Sequence, residues 1–169
     1  LFGGAKLPWG RDDARGRGEE EPLEPSVQPG SGAFDFMLGL AYSRWLTAHA
    51  SMDASAQYTI RTANDSFRMG DRFDGGVALA WRFTENVQTF PQPAVFAELT
   101  LRQLGANRED GEKTVNSGGA VLFFSPGFRC AFNKRFALSA SLQFPLLQDW
   151  RSEQQETRFK ASIGATFSF

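Results

Sequence analysis

The chain has very little of what most catalytic and metal sites are built from. Cys130 is its one cysteine and His49 its one histidine. A single cysteine excludes an intrachain disulfide and a cysteine-cluster metal site. No phosphate loop, zinc spacing or dinucleotide fingerprint is present, so no cofactor and no metal are expected. The net charge is -1, which gives no bulk attraction to nucleic acid. No stretch approaches the ~18–20 apolar residues of a membrane helix. Membrane-spanning β-strands are not excluded by that, since they need only ~9–11 residues with every second one apolar. Tyrosine is scarce, two residues against seventeen phenylalanines. The sequence starts at Leu1, with no initiator methionine and no signal peptide, and is expected to be a processed product or a fragment.

What is present is alternation. In the last twelve residues Phe159, Ala161, Ile163, Ala165, Phe167 and Phe169 share one parity, and Arg158, Lys160, Ser162, Gly164, Thr166 and Ser168 the other. A period of two puts these sets on opposite faces of a strand. Residues 48–61 repeat the pattern. His49, Ser51, Asp53, Ser55, Gln57, Thr59 and Arg61 oppose Ala48, Ala50, Met52, Ala54, Ala56, Tyr58 and Ile60. The same reading predicts strands over 33–43, 72–83, 95–103, 119–132 and 136–146, and the end of a further strand at 1–7. Small residues dominate the second face, among them Gly39, Gly76, Ser125, Gly127, Ser139, Ser141, Ser162 and Gly164. Its charges are few and mixed in sign, which suits a narrow wet interior better than the solvent side of a soluble sandwich.

A strand with one apolar face that closes the chain on phenylalanine resembles the terminal strand of a bacterial outer-membrane barrel. That resemblance implies that Phe167 and Phe169 carry the signal read by the barrel-assembly machinery. With the C-terminus in the periplasm, the links at 44–47, 84–92 and 133–135 fall inside. Those at 8–32, 62–71, 104–118 and 147–157 fall outside, and they are longer and richer in charge and glycine. Short inner turns and long outer loops are the rule in such barrels. Aromatics gather near both sets of strand ends. Trp45, Trp81, Phe83, Phe132, Phe136, Phe167 and Phe169 are expected at the inner interface, and Phe34, Phe73, Phe144, Trp150 and Phe159 at the outer one. The segment 11–32, with the acidic run Glu19–Glu21, reads as a mobile surface loop, or in a sharper reading as a gate folded into the mouth.

The sequence further resembles one family: outer-membrane proteins described as transporters and named for the meta-cleavage pathway of phenol degradation. The resemblance rests on Lys6-Leu7-Pro8 with Gly10-Arg11, on Gln28-Pro29-Gly30-Ser31-Gly32, and on Leu38-Gly39-Leu40-Ala41-Tyr42-Ser43. It continues through Gly70-Asp71-Arg72, Gly118-Gly119, Phe124-Ser125-Pro126-Gly127, Ser141-Leu142-Gln143-Phe144-Pro145 and Gln148-Asp149. It implies an all-β, antiparallel transmembrane β-barrel of about a dozen strands, of which 1–169 would be the C-terminal portion, a single domain with 8–32 as a long extracellular loop. It also implies a location in the bacterial outer membrane, with lipid, lipopolysaccharide and a small-molecule solute as partners.

The expected lumen-lining residues are Asp35, Asp53, Arg61, Arg72, Asp74, Arg82, Glu98, Arg102, Ser125, Arg129, Gln143, Arg158 and Lys160. They read either as a ladder of ion pairs or as a constriction that selects solutes by charge. Glu98, Arg102 and Arg129 are expected to form one cluster, and Ser125 and Gln143 to bond each other. His49-x-Ser51, with Asp53 next on that face, is the only catalytic-looking arrangement. Same-face neighbours lie ~7 Å apart along a strand, too far for a working base, so no enzyme is expected. Glu109, Asp110 and Glu112 lack calcium-loop spacing and read as a solvated loop. Passive passage of small, hydrophobic or aromatic molecules is the first functional expectation. A barrel that is structural, adhesive or lipid-modifying is the second, and a soluble lipocalin-like binder of an apolar ligand the third.

Overall fold

The computed structural model describes the chain except residues 17, 19–21, 24–27, 87 and 151–156. The acidic run Glu19–Glu21 and most of the link 147–157 lie outside the described residues. The described residues form an all-β, antiparallel protein. Its strands are β1 (Phe2–Lys6), β2 (Asp35–Trp45), β3 (Ala50–Arg61), β4 (Ala63–Asn64), β5 (Phe67–Arg68), β6 (Arg72–Arg82), β7 (Gln92–Leu104), β8 (Arg108–Glu109), β9 (Glu112–Lys113), β10 (Gly119–Ala131), β11 (Phe136–Trp150) and β12 (Lys160–Phe167).

Eight of them make one sheet in the order β1-β2-β3-β6-β7-β10-β11-β12, a meander in which each long strand pairs with its sequence neighbours. These correspond to the seven alternating segments and the partial first one read from the sequence. The register follows the alternation. Asp35, Gly39 and Ser43 of β2 lie opposite Arg61, Gln57 and Asp53 of β3, so polar meets polar on one face. The sheet is open: β1 and β12 do not pair with each other among the described residues. It nevertheless curls tightly towards its polar face. Gln143 Nε2 on β11 reaches Thr100 Oγ1 on β7 at 3.5 Å, across the whole width of β10. Phe2 from one edge strand and Lys160 from the other line the same cavity.

Two long links differ from the loops expected. Residues 62–71 and 104–118 carry the hairpins β4–β5 and β8–β9, which pair through β5 and β8 into a small second sheet. The turn between β8 and β9 is Asp110-Gly111, both at positive φ (51° and 84°), the backbone a two-residue hairpin requires. Asp110 therefore serves the turn, and the acidic stretch around it is strand and turn rather than plain loop.

Strand β11 also runs past its expected end. The register shifts between Leu122 and Phe123, because Phe123 faces Pro145 while Leu122 faces Leu147. Leu146 is the extra residue of this bulge. Leu146 and Leu147 both end up exposed, and the polar face resumes at Gln148. A bulge inverts parity, so a strict period of two stops the strand too early. The last strand is shorter than its pattern. Arg158 and Phe159 precede it and Phe169 follows it, although Ser168 N still donates to Arg135 O at 2.8 Å.

Candidate functional site

Exposure in this molecule is inverted. On the convex face Leu38 is 62% exposed, Leu79 54% and Ile163 87%, whereas on the concave face Asp35 is 9% exposed, Thr59 7% and Ser125 4%. Few large apolar side chains are buried among the described residues, and two of them, Val121 and Phe123, point into the concavity beside polar groups. A continuous exposed apolar band of this kind marks contact with lipid or with another apolar surface. The concave polar face is therefore the candidate site.

Ten of the expected lining residues lie in strands on that face by register: Asp35, Asp53, Arg61, Arg72, Asp74, Arg82, Glu98, Arg102, Arg129 and Lys160. Ser125 and Gln143 share it, and Gln143 Nε2 donates to Ser125 Oγ at 3.3 Å. Arg158 is exposed and outside the strands.

The expected cluster of Glu98, Arg102 and Arg129 does not form. Arg102 lies opposite Val121, Glu98 opposite Ser125 and Arg129 opposite Ala94, so antiparallel register puts them at three different depths. Arg102 Nε instead donates to Asp74 Oδ1 at 2.9 Å. Arg72 reaches the same carboxylate from the same strand, its second nitrogen donating to Oδ1 at 2.8 Å. One carboxylate thus answers two guanidiniums. Lys160 adds a third cation, its Nζ 4.8 Å from the centre of the Phe123 ring. Asp74, Arg102, Phe123 and Lys160, together with Phe2, Gln57 and Gln143, line a cavity of about 270 Å³ midway along the strands, with two cations against one carboxylate. Nearer the long loops, Lys6 and Asp35 pair at 3.0 Å.

Towards the short turns the concavity widens to about 770 Å³, lined by Asp53, Arg82, Phe96 and Arg129 among others. Ser43 Oγ donates to Asp53 at 2.6 Å. Arg82 sits over the Trp45 ring at 4.9 Å and donates to the carbonyls of Ala48 and Thr84, each at 2.8 Å. The His49 ring stacks on Trp81 with centroids 5.3 Å apart. Its Nδ1 meets Arg82 O at 2.9 Å and its Nε2 meets Glu85 at 3.4 Å. These contacts aim the imidazole at a backbone carbonyl and a turn carboxylate, not at Ser51.

Two tryptophans depart from the expected girdles. Trp45 lies opposite Ser51 and Trp150 opposite Gly119, which places both on the concave register. Trp45 shares the parity of Ser43, the partner of Asp53, and Trp150 is carried over by the bulge. Three of the aromatics expected at the short turns, Phe132, Phe136 and Phe167, stack in series at 5.6 and 4.9 Å.

Three concave aromatics were not singled out from the sequence: Phe2, Phe96 and Phe123. Each of the first two lies over a glycine on the next strand. A Cβ at Gly39 would overlap the Phe2 ring, and one at Gly127 the Phe96 ring. The signal available was the glycine itself, since a strand glycine often marks a close approach by another group.

The long loop 8–32 is folded where it is described. Gln28 accepts from Ala14 N at 2.9 Å and donates to Leu23 O at 2.7 Å and Ala14 O at 3.1 Å. Gly10 and Gly30 touch backbone to backbone, and Asn64 Nδ2 donates to Asp12 at 2.8 Å, tying the loop to the β4–β5 hairpin. The bonds made by one glutamine and the glycine contact join the described parts of the loop to one another.

These features sit on the motif residues named above. Gln28-Pro29-Gly30 shapes the loop, Asp71 joins the hairpins to the sheet, Ser125-Pro126-Gly127 seats Gln143 and Phe96, and Gln148 holds Thr157 through bonds of 3.0 and 3.1 Å. The sequence profile of the family described as "Putative MetA-pathway of phenol degradation" matches residues 1–162. The chain belongs to this family. A search of curated proteins finds no match. Membership of a family linked by name to phenol degradation agrees with the resemblance drawn from the motifs.

Proposed function

We propose that the chain forms part of an outer-membrane β-barrel whose concave polar face lines a passive route for small molecules. The carrying observation is the inverted exposure: leucine, isoleucine and phenylalanine outward, aspartate, threonine and serine inward. Loop asymmetry and the stacked aromatics at the short-turn ends support the same reading. Closing the curled sheet would need further strands between β1 and β12, or a second copy. Phe2, Phe96 and Phe123 give the inner wall apolar patches beside its charges, which suits small hydrophobic or aromatic solutes. The surplus of arginine and lysine around Asp74 favours those carrying negative charge. In this reading the barrel-assembly machinery inserts the protein and recognises Phe167 and Phe169, and no catalysis is involved.

The test is conductance in planar bilayers together with heat-dependent gel migration. A folded, heat-modifiable band and discrete anion-preferring currents are expected. Arg102→Glu should move the reversal potential in a salt gradient towards cation preference. A heat-modifiable protein that passes neither current nor solute would leave a non-transporting barrel. That second reading is favoured by Phe123, which with Lys160 stacked on it narrows the middle of the concavity.

A further inference from the structure

The small sheet beyond the long-loop end separates its charges by face. Register sets Arg68 opposite Arg108, and Arg108 opposite Lys113, so three cations form one cross-strand row. The other row runs through Phe67, Glu109 and Glu112. Like charges directly opposite one another destabilise a sheet, and the acids that would offset them occupy the opposite face. Arg68 pairs with Asp71 at 2.9 Å, but Arg108 and Lys113 have no ion-pair partner among the described residues. The three cations border a cavity of about 330 Å³ whose remaining wall includes Tyr58, Phe73 and Gln103. Those three belong to the convex parity of β3, β6 and β7, at the ends nearest the long loops. The cavity therefore lies where the apolar band ends, with cations on one side and aromatic rings on the other.

We propose that this cavity binds a phosphate group of a glycolipid in the outer leaflet, with acyl chains lying along Tyr58 and Phe73. The inference rests on the reading that the convex face meets lipid. A phosphate would separate the facing cations, accept paired bonds from the Arg108 guanidinium and take the Lys113 ammonium as a point charge. Asp71 also lines the cavity, but its carboxylate is already engaged: Oδ1 accepts from Arg61 N at 3.0 Å and from Arg68 at 2.9 Å, and Oδ2 accepts from the Tyr58 hydroxyl at 3.3 Å.

The experiment titrates the whole chain, refolded in detergent micelles, with bis-phosphorylated lipid A, with the same lipid stripped of phosphate, and with inorganic phosphate. Arg108→Gln combined with Lys113→Gln should weaken binding of the phosphorylated lipid roughly tenfold or more, and leave the stripped lipid unchanged. Lys134→Gln with Arg135→Gln, an equal loss of charge in the turn at the other end, should have no such effect. An equal loss of affinity in that control would overturn the site, as would inorganic phosphate displacing the lipid at comparable concentration. A protein that inserts into bilayers but binds lipid A equally well with and without Arg108 and Lys113 sinks this site alone. Failure to enter bilayers at all defeats the membrane reading beneath it.

Discussion

At the scale of single residues, the concave-face side chains that neighbours cover satisfy one another. Ser125 is nearly fully buried and its hydroxyl is met by Gln143. Removing that partner leaves a buried polar group unpaired, which costs about 1–3 kcal/mol. Gln143→Leu should therefore lower the urea midpoint of the refolded protein, and Ser125→Ala in the same background should recover most of the loss. Equal midpoints for the single variant and the parent would show that the pair contributes nothing. The glycines under Phe2 and Phe96 belong to the same logic, since the rings occupy the space a side chain would need.

At the scale of elements, the long strands were legible because their period is short and their two faces differ in polarity. The stretch Ala50–Arg61 alternates along its whole length and forms the strand it predicts. The hairpins β4–β5 and β8–β9 were not legible by this route, because two-residue strands contain no period. Their local signs were turn residues at positive φ, Asp65 (50°) between β4 and β5 and Asp110-Gly111 between β8 and β9. The bulge at Leu146 hid the end of β11 by exchanging the faces, and it carried Trp150 to the concave register. The misplaced Arg129 has a different cause: neighbouring strands were inferred correctly, but depth along them depends on register, which parity does not supply.

Asp71 shows how an outer element is fastened to the sheet. Burial opposes its charged form, but the Arg61 amide, the Arg68 guanidinium and the Tyr58 hydroxyl more than offset this and hold its pKa below the ordinary carboxylate value. A carboxyl whose folded pKa is depressed adds stability above its unfolded pKa and loses it as pH falls through the folded one. The hairpin junction should then loosen in acid, below about pH 4. Amide exchange at Arg61 should accelerate between pH 5 and pH 3, in approximate terms, beyond the intrinsic trend. Asp71→Asn should remove that pH dependence; a variant that keeps it would assign the effect to another group.

At the scale of the whole molecule, one sheet presents a lipid-like surface on one side and a water-like surface on the other. Hydrophobic burial cannot hold such a sheet together in water, because the apolar side chains are the exposed ones. The inverted pattern makes sense only if the convex face is given an apolar partner. Family membership was legible from scattered motifs because those motifs do structural work at loops, glycine contacts and strand junctions, where few residue types fit. The solute was not legible, since lining residues distribute charge and shape without a single reacting group.

In the proposed barrel the convex face meets lipid and the concave face meets water. This is tested most directly by nitroxide labels placed one at a time along β7, at residues 97–101, in a Cys130→Ala background reconstituted in bilayers. Labels at Ala97, Leu99 and Leu101 should collide with oxygen dissolved in lipid, and labels at Glu98 and Thr100 with a water-soluble nickel complex. Collision rates that alternate in the opposite sense, or that do not alternate at all, would contradict the account.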